Sequence, residues 1–266
     1  MSLGINLEVI QYEEIIPKII KNKPRTKSLV EVNKMGYTRQ EILSKCQERF
    51  SDIKTFYQAG INNYRGKTSD TKEYYTEVIA EFICDNIELF CNSIPSITRK
   101  SSYKTASHYG KYSPTSNRAE EIVAIKMFNQ SNKDGYIFDF IGKIIDYQIP
   151  LKSERKDIAG KVDLLSYDGD ILRILELKKP DSMETMLRCV LEGYTYKKTF
   201  NYSKLLSDFN LPKDTIIKSS PFVFKDGLQY KEMQENRKWL KQLMVLLDSV
   251  PFFIIDNNGR YIVKED

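Results

Sequence analysis

The sequence predicts an α/β protein in which a mixed sheet is covered by helices. Three observations carry that expectation. After residue 118 the segments run helix, three strands, helix, strand, helix and hairpin, an order that implies a mixed sheet with helical cover. The stretch 171–179 is apolar on both faces, with Leu172 and Ile174 on one side and Ile171, Leu175 and Leu177 on the other. Such a strand is central and buried from both directions. Asp168-Gly169 and Asn258-Gly259 are tight-hairpin signals.

The elements follow in order. Residues 12–20 read as a short helix, interrupted at Lys23-Pro24. Thr38, with Glu41 three residues on, forms a capping box. Ile42, Cys46, Phe50, Ile53 and Tyr57 are the apolar stripe of the helix it opens, and Gly60 ends that helix. A third helix is expected over 69–90, with Tyr75, Val78, Ile79, Phe82, Ile83 and Ile87 inward. Residues 93–117 are polar and basic, a loop between two regions. Arg99, Lys100, Lys104, Lys111 and Arg118, interleaved with Tyr103, Tyr109 and Tyr112, suit either a phosphate backbone or plain solvent exposure. A helix over 118–129, capped by Asn117 or Ser116, opens the core, and strands over 147–152, 161–167 and 171–179 follow. The next helix, 181–199, takes Asp181 as cap with Glu184 three residues on, and turns Met183, Leu187, Val190, Leu191 and Tyr194 to the core. A strand over 215–225 is broken or bulged at Pro221. An amphipathic helix over 228–247 holds the only tryptophan, Trp239, and a hairpin over 251–263 closes the chain.

Size and composition bound the rest. At 266 residues, 41% hydrophobic and 29% charged, the chain is expected to be soluble and globular. The expected organisation is a mainly helical N-terminal region, 1–114, and a core over 115–266. The net charge of +5 permits a nucleic-acid partner without demanding one. No apolar run approaches the ~20 residues of a membrane span, and the N-terminus does not read as a signal peptide. Cys46, Cys84, Cys91 and Cys189 form no CxxC pair and are expected to be reduced core residues of a cytoplasmic protein. A single histidine, His108, argues against His-ligated zinc and Ser-His-Asp chemistry.

The chemistry concentrates in 160–181, GKVDLLSYDGDILRILELKKPD. If Asp168 and Gly169 form a two-residue turn, Tyr167 pairs with Asp170 and Asp163 falls opposite Ile174. Ile174, Glu176 and Lys178 share a face, because strand side chains alternate. Asp163, Glu176 and Lys178 then point the same way, with the two acids as diagonal neighbours roughly 7–8 Å apart at Cα. A slip of one residue would part them. Two carboxylates and a lysine so placed are what metal-dependent phosphodiester hydrolysis needs: Mg²⁺ takes oxygen ligands, and a lysine stabilises charge on phosphate or orients water. A surface hairpin with incidental ion pairs is the plainer alternative, and the doubly apolar strand argues against it.

Gly160-Lys161-Val162-Asp163 followed by Glu176-Leu177-Lys178 resembles the PD-(D/E)xK nuclease superfamily, the restriction-endonuclease-like fold. The order of elements over 115–226 is similar to its core of helix, three strands, helix and strand. The usual Pro before the Asp is Val162 here. The resemblance implies that Asp163 and Glu176 bind Mg²⁺ or Mn²⁺, that Lys178 acts on water or phosphate, and that DNA is the partner. Many members add an acid on the first core helix. Glu121, in register with Ala124, Ile125 and Phe128, is preferred to Glu120, in register with Val123, Ala124 and Met127. Glu192 and Tyr196 resemble the Gln-x-x-x-Tyr signature of the RecB-like branch, with Glu in place of Gln; Lys197 and Lys198 beside them suit phosphate or solvent. A catalytically silent nucleic-acid-binding module of the same fold is the alternative, and an unrelated hydrolase or structural protein is a third. For the N-terminal region, DNA recognition, homodimer formation and binding of another partner all stay open.

Overall fold

The computed structural model describes residues 36–152 and 160–265; the helix expected over 12–20 lies outside them. The capping box at Thr38 forms as expected. Its hydroxyl accepts from Glu41 N, and the Glu41 carboxylate accepts from Thr38 N at 2.8 Å. Helix α1, Arg39–Arg49, then tightens into a 3-10 turn at Phe50–Asp52 before α2, Ile53–Phe56, instead of running on to Gly60. The tighter turn brings Phe50 edge-on to both Phe56 and Phe82, at 5.2 and 5.1 Å. The third expected helix starts later and is split. Residues 68–74 close a turn through Thr68 N and Glu73 O, and α3 is Tyr75–Asp85. Asn86, whose side chain bonds Phe82 O, separates α3 from α4, Ile87–Ser93.

Helix α5, Ala119–Asn132, carries no side-chain cap; Arg118 holds the cap position expected for Asn117 or Ser116. Strands β1, Lys143–Pro150, β2, Lys161–Tyr167, and β3, Ile171–Lys178, follow. Helix α6 is Met186–Thr199, capped by Thr185 rather than Asp181, because the segment from 181 to 184 is drawn off by ion pairs of Lys179 with Asp181 and Lys178 with Glu184. Met183 is accordingly exposed, not inward. Helix α7, Tyr202–Asp208, precedes β4, Ile216–Phe224. The strand runs unbroken through Pro221, since β5 pairs with it only from Phe222 on, leaving a neighbour on one side alone at the proline. Residues 234–237 divide the last helical stretch into α8, Leu228–Met233, and α9, Lys238–Leu246. Strands β5, Phe252–Asn257, and β6, Arg260–Lys264, form the expected hairpin, with Asn258 and Gly259 both at positive φ.

The six strands lie in chain order. Pairing is antiparallel from β1 to β3, parallel from β3 to β5, and antiparallel again at β6. Apolar residues of β3 divide between two cores, Leu172 and Ile174 against α6, Leu175 and Leu177 against α5, so the strand is buried from both sides as expected. The first core also takes in α1 to α4 and α9. The helical segment over 39–93 and the sheet therefore share one apolar layer. Among the described residues no helix is long and apolar enough to cross a membrane.

Glu77 of α3 ties that segment to the far end of the chain. It is buried, and its carboxylate accepts from Trp239 N at 2.8 Å and Leu240 N at 2.9 Å at the start of α9. Losing the acceptor strands two N–H groups out of water. Glu77→Ala is expected to lower stability by about 2–3 kcal/mol, and Glu77→Gln by roughly half as much, because one acceptor remains. Urea unfolding of both variants measures this; equal losses would show that the hydrogen bonds are not what docks α9.

Candidate active site

The hairpin that carries the site has a longer turn than expected. Tyr167 pairs with Leu172 rather than Asp170. The Asp168 carboxylate accepts from Asp170 N and Ile171 N at 3.0 and 2.8 Å, which folds the extra residues into the loop. The shift is by two residues, so Leu164 to Tyr167 keep their faces, but alternation breaks at Asp163. Val162 lies in the core under α6 and Leu164 in the core under α5. Asp163 opens to the α5 side while Glu176 and Lys178 face α6, not the single face expected. Leu164 pairs with Leu175, and continuing that register puts Asp163 opposite Glu176, directly across rather than diagonal. There the ladder opens. Leu177 N donates to Asp163 Oδ2 at 2.9 Å, and Gln148 of β1 donates to Asp163 Oδ1 at 3.1 Å. Gln148 itself sits at positive φ, a local kink that no sequence pattern announces.

On the α6 side, Glu176 and Lys178 are buried together. Lys178 Nζ lies 2.8 Å from Glu176, 2.9 Å from Glu184 and 3.3 Å from Glu192. Glu192 is held in turn by Arg188 Nε at 3.3 Å and by the Tyr196 hydroxyl at 2.8 Å. Helix α6 passes close overhead: a Cβ added at Gly193 would lie 3.4 Å from Glu176 Cβ, in van der Waals contact. Burial works against the Lys178 ammonium, but Glu176 and Glu192 outweigh it and hold its pKa well above the ordinary value. The two acids split. Burial and the charge of Glu192 push Glu176 well above its ordinary range. Burial would raise Glu192 too, but Lys178, Arg188 and Tyr196 bring it below. The shorter contact to Lys178 belongs to Glu176, yet Glu192 is the one kept ionised, because it has three partners and Glu176 has one.

On the α5 side, Asp163 lines a cavity of about 510 Å³ with Glu120, Glu121, Gln148, Arg118, Lys161 and Lys179. Desolvation dominates its carboxyl even though the residue reaches the cavity. Burial and Glu120 push its pKa up to about 7, with Lys178 opposing. Of the two candidate helix acids, Glu120 stands at the site: its carboxylate accepts from Lys179 N at 3.2 Å and acts on Asp163. Glu121 also lines the cavity but pairs with Arg118 at 3.1 Å, so the preference for Glu121 is replaced by Glu120.

Asp163 and Glu120 are thus brought together at the cavity, with Glu176 and Lys178 directly behind under α6. Glu184, Arg188 and Gln148 were not expected here. Glu184 read as a capping partner, and only the spacing of Glu192 and Tyr196 signalled the network. The basic loop does not supply an aromatic ladder at the site: Tyr103 is fully buried against Phe200 at 4.9 Å, and Arg99 is spent on the carbonyls of Ser102 and Lys152. Lys197 lies over the Tyr194 ring. Among the described residues no three His, Cys, Asp or Glu side chains are grouped to hold a metal ion as they stand; the ammonium of Lys178 occupies the centre of the carboxylate cluster. One carboxylate oxygen, Glu176 Oε2, is buried with no hydrogen-bond partner. No family model matches the chain, and no curated protein or solved structure matches it significantly.

The acids make stability pH-dependent. Asp163 and Glu176 hold protons in the folded protein that they release when unfolded. Metal-free stability therefore falls as pH rises between about 4 and about 7, the unfolded and folded values for Asp163, and the penalty is complete above that window. Asp163→Asn is expected to raise Tm by several degrees at about pH 8 and to flatten the slope below it. Its amide can still accept from Leu177 N, and the Gln148 amide can turn to match. Thermal unfolding in a chelator across this range checks the sign; a variant that loses stability specifically at the higher pH contradicts it.

Proposed function

We propose that the chain is a Mg²⁺-dependent deoxyribonuclease, with Mn²⁺ as a competent substitute, built on a PD-(D/E)xK core of the restriction-endonuclease type. One observation carries the reading: the Asp163 carboxylate accepts from Leu177 N where the β2–β3 ladder opens, which places it between Glu176 and Lys178 of β3. The order α5, three strands, α6 and β4, with the short α7 inserted before β4, supports it. Asp163, Glu176 and Glu120 are the residues that would hold the cation. The buried, unpartnered Glu176 Oε2 and the Asp163 carboxylate at the cavity fit an acceptor set for a hard cation. A divalent ion supplies Lewis acidity and charge neutralisation at the phosphate.

The chain's own groups do the rest. Arg118, Lys161 and Lys179 around the cavity attract and seat the phosphodiester backbone. Lys178, held by Glu176, Glu184 and Glu192, is placed to donate to the phosphate as negative charge builds or to orient the attacking water. To reach substrate its ammonium turns from the partly exposed Glu184 while Glu176 and Glu192 retain it.

Cleavage of plasmid and single-stranded DNA in Mg²⁺ or Mn²⁺ tests the proposal. Asp163→Asn is expected to abolish cleavage, and Lys178→Met to lower it by about 10²–10³-fold. Glu120→Gln is expected to cost more than Glu121→Gln. Equal cleavage by wild type and all four variants sinks the assignment. DNA bound but uncut under either ion moves it to a silent binding module.

A further inference from the structure

Four side chains link the N-terminal helical segment to Lys178. Gln58 Nε2 donates to the Tyr57 hydroxyl at 2.7 Å. Tyr57 and Tyr196 meet edge to face at 5.6 Å. The Tyr196 hydroxyl donates to Glu192 Oε1 at 2.8 Å, so the Tyr57 ring fixes the donor by packing. The other Glu192 oxygen receives Lys178 Nζ and Arg188 Nε, both at 3.3 Å. Tyr57 supports that arm too, because the Arg188 guanidinium lies over its ring at 5.2 Å.

We propose that Tyr57 is a positioning residue for Lys178, acting through Tyr196 and Glu192 to hold the ammonium at the end of β3. A lysine side chain is long and flexible, and fixing it requires a partner that is itself fixed. Glu176 alone does not do this, for one of its oxygens is unpartnered. Glu192 has both oxygens engaged, and every group that engages it except Lys178 is anchored by Tyr57. Tyr57 is 3% exposed and Tyr196 6%, so the hydrogen bond from Tyr196 to Glu192 is shielded from competing water. Its activity readout rests on the nuclease reading; its second readout does not.

The full chain is tested as Tyr57→Leu, which removes the ring, Tyr196→Phe, Glu192→Gln and Gly160→Ala. The last keeps every polar group but adds a Cβ that collides with the Tyr196 hydroxyl. Two measurements are made: Mg²⁺-dependent cleavage kinetics, and the rate at which an amine-acylating reagent labels Lys178 in metal-free protein, read by peptide mass spectrometry. Expected are kcat losses of about tenfold or more for Glu192→Gln and severalfold for the other three, with KM within about twofold. Lys178 labelling should rise severalfold in all four. Wild-type kcat together with wild-type labelling in Tyr57→Leu and Gly160→Ala overturns the proposal, as does a loss confined to KM. If wild type cleaves no DNA, the nuclease reading fails by itself. Labelling then decides: unchanged rates in Tyr57→Leu overturn the positioning role, and raised rates uphold it. Should Glu192→Gln fail to fold, Tyr57→Leu and Gly160→Ala carry the same two readouts.

Discussion

A buried ammonium must be surrounded by acceptors, and Lys178 imposes that requirement on the middle of this molecule. It sits near the end of a strand covered on both faces, so the acceptors have to come from the covering layer. Glu176 comes from the strand itself, Glu184 from the segment entering α6, and Glu192 from the second turn of that helix. This explains why α6 begins at Met186. The four residues 181–184 are drawn off by ion pairs with Lys178 and Lys179, and Thr185 is the first position free to cap. Breaking one member of such a network strands the others, so its members are coupled rather than additive.

A second constraint is the point where β2 and β3 part. In a regular ladder Leu177 N would bond a β2 carbonyl, but here it bonds a side chain, Asp163. The substitution turns a structural hydrogen bond into a fixed carboxylate at a cavity wall, braced on its other oxygen by Gln148. Charge of both signs lines that cavity. Arg118, Lys161 and Lys179 share it with Glu120, Glu121 and Asp163, and Lys178 is paired on the α6 side.

Much of this was legible in the sequence, and what was not has physical causes. Strand β2 and the start of β3 match the expected bounds because alternation and a strong turn signal agree there. The turn length was misjudged, since the Asp168 side chain stabilises a four-residue loop where Asp-Gly alone favours two. An even error keeps the faces of Leu164 to Tyr167, but the break of alternation at Asp163, beside the positive φ of Gln148, has no local signal and parts Asp163 from the face of Glu176 and Lys178. Helix ends fared worse. Asp181 and Glu184 have the spacing of a capping box, but ion pairs to lysines on the neighbouring strand outbid it, and such pairs are invisible to local pattern. Glu120 and Glu121 differ only in helical phase, and what separates them is a backbone N–H at Lys179, fifty-nine positions away. Tyr103 read as a surface aromatic because its neighbours are polar; its burial depends on Phe200, which local sequence cannot place beside it.

The helical segment over 39–93 is not separable from the site chemistry. Its apolar side chains fill the same layer as Leu187, Val190 and Leu191 of α6, so removing it would bare the face of α6 that carries Glu192 and Tyr196. Without Tyr57 over Arg188 and against Tyr196, the Glu192 carboxylate would meet water on two sides, and its hold on Lys178 would be screened. A core of 119–265 alone would thus keep every residue of the Asp163, Glu176 and Lys178 pattern and lose the environment that sets their protonation. The pattern in the chain marks where the chemistry is, while the segment outside the pattern sets the state in which it operates.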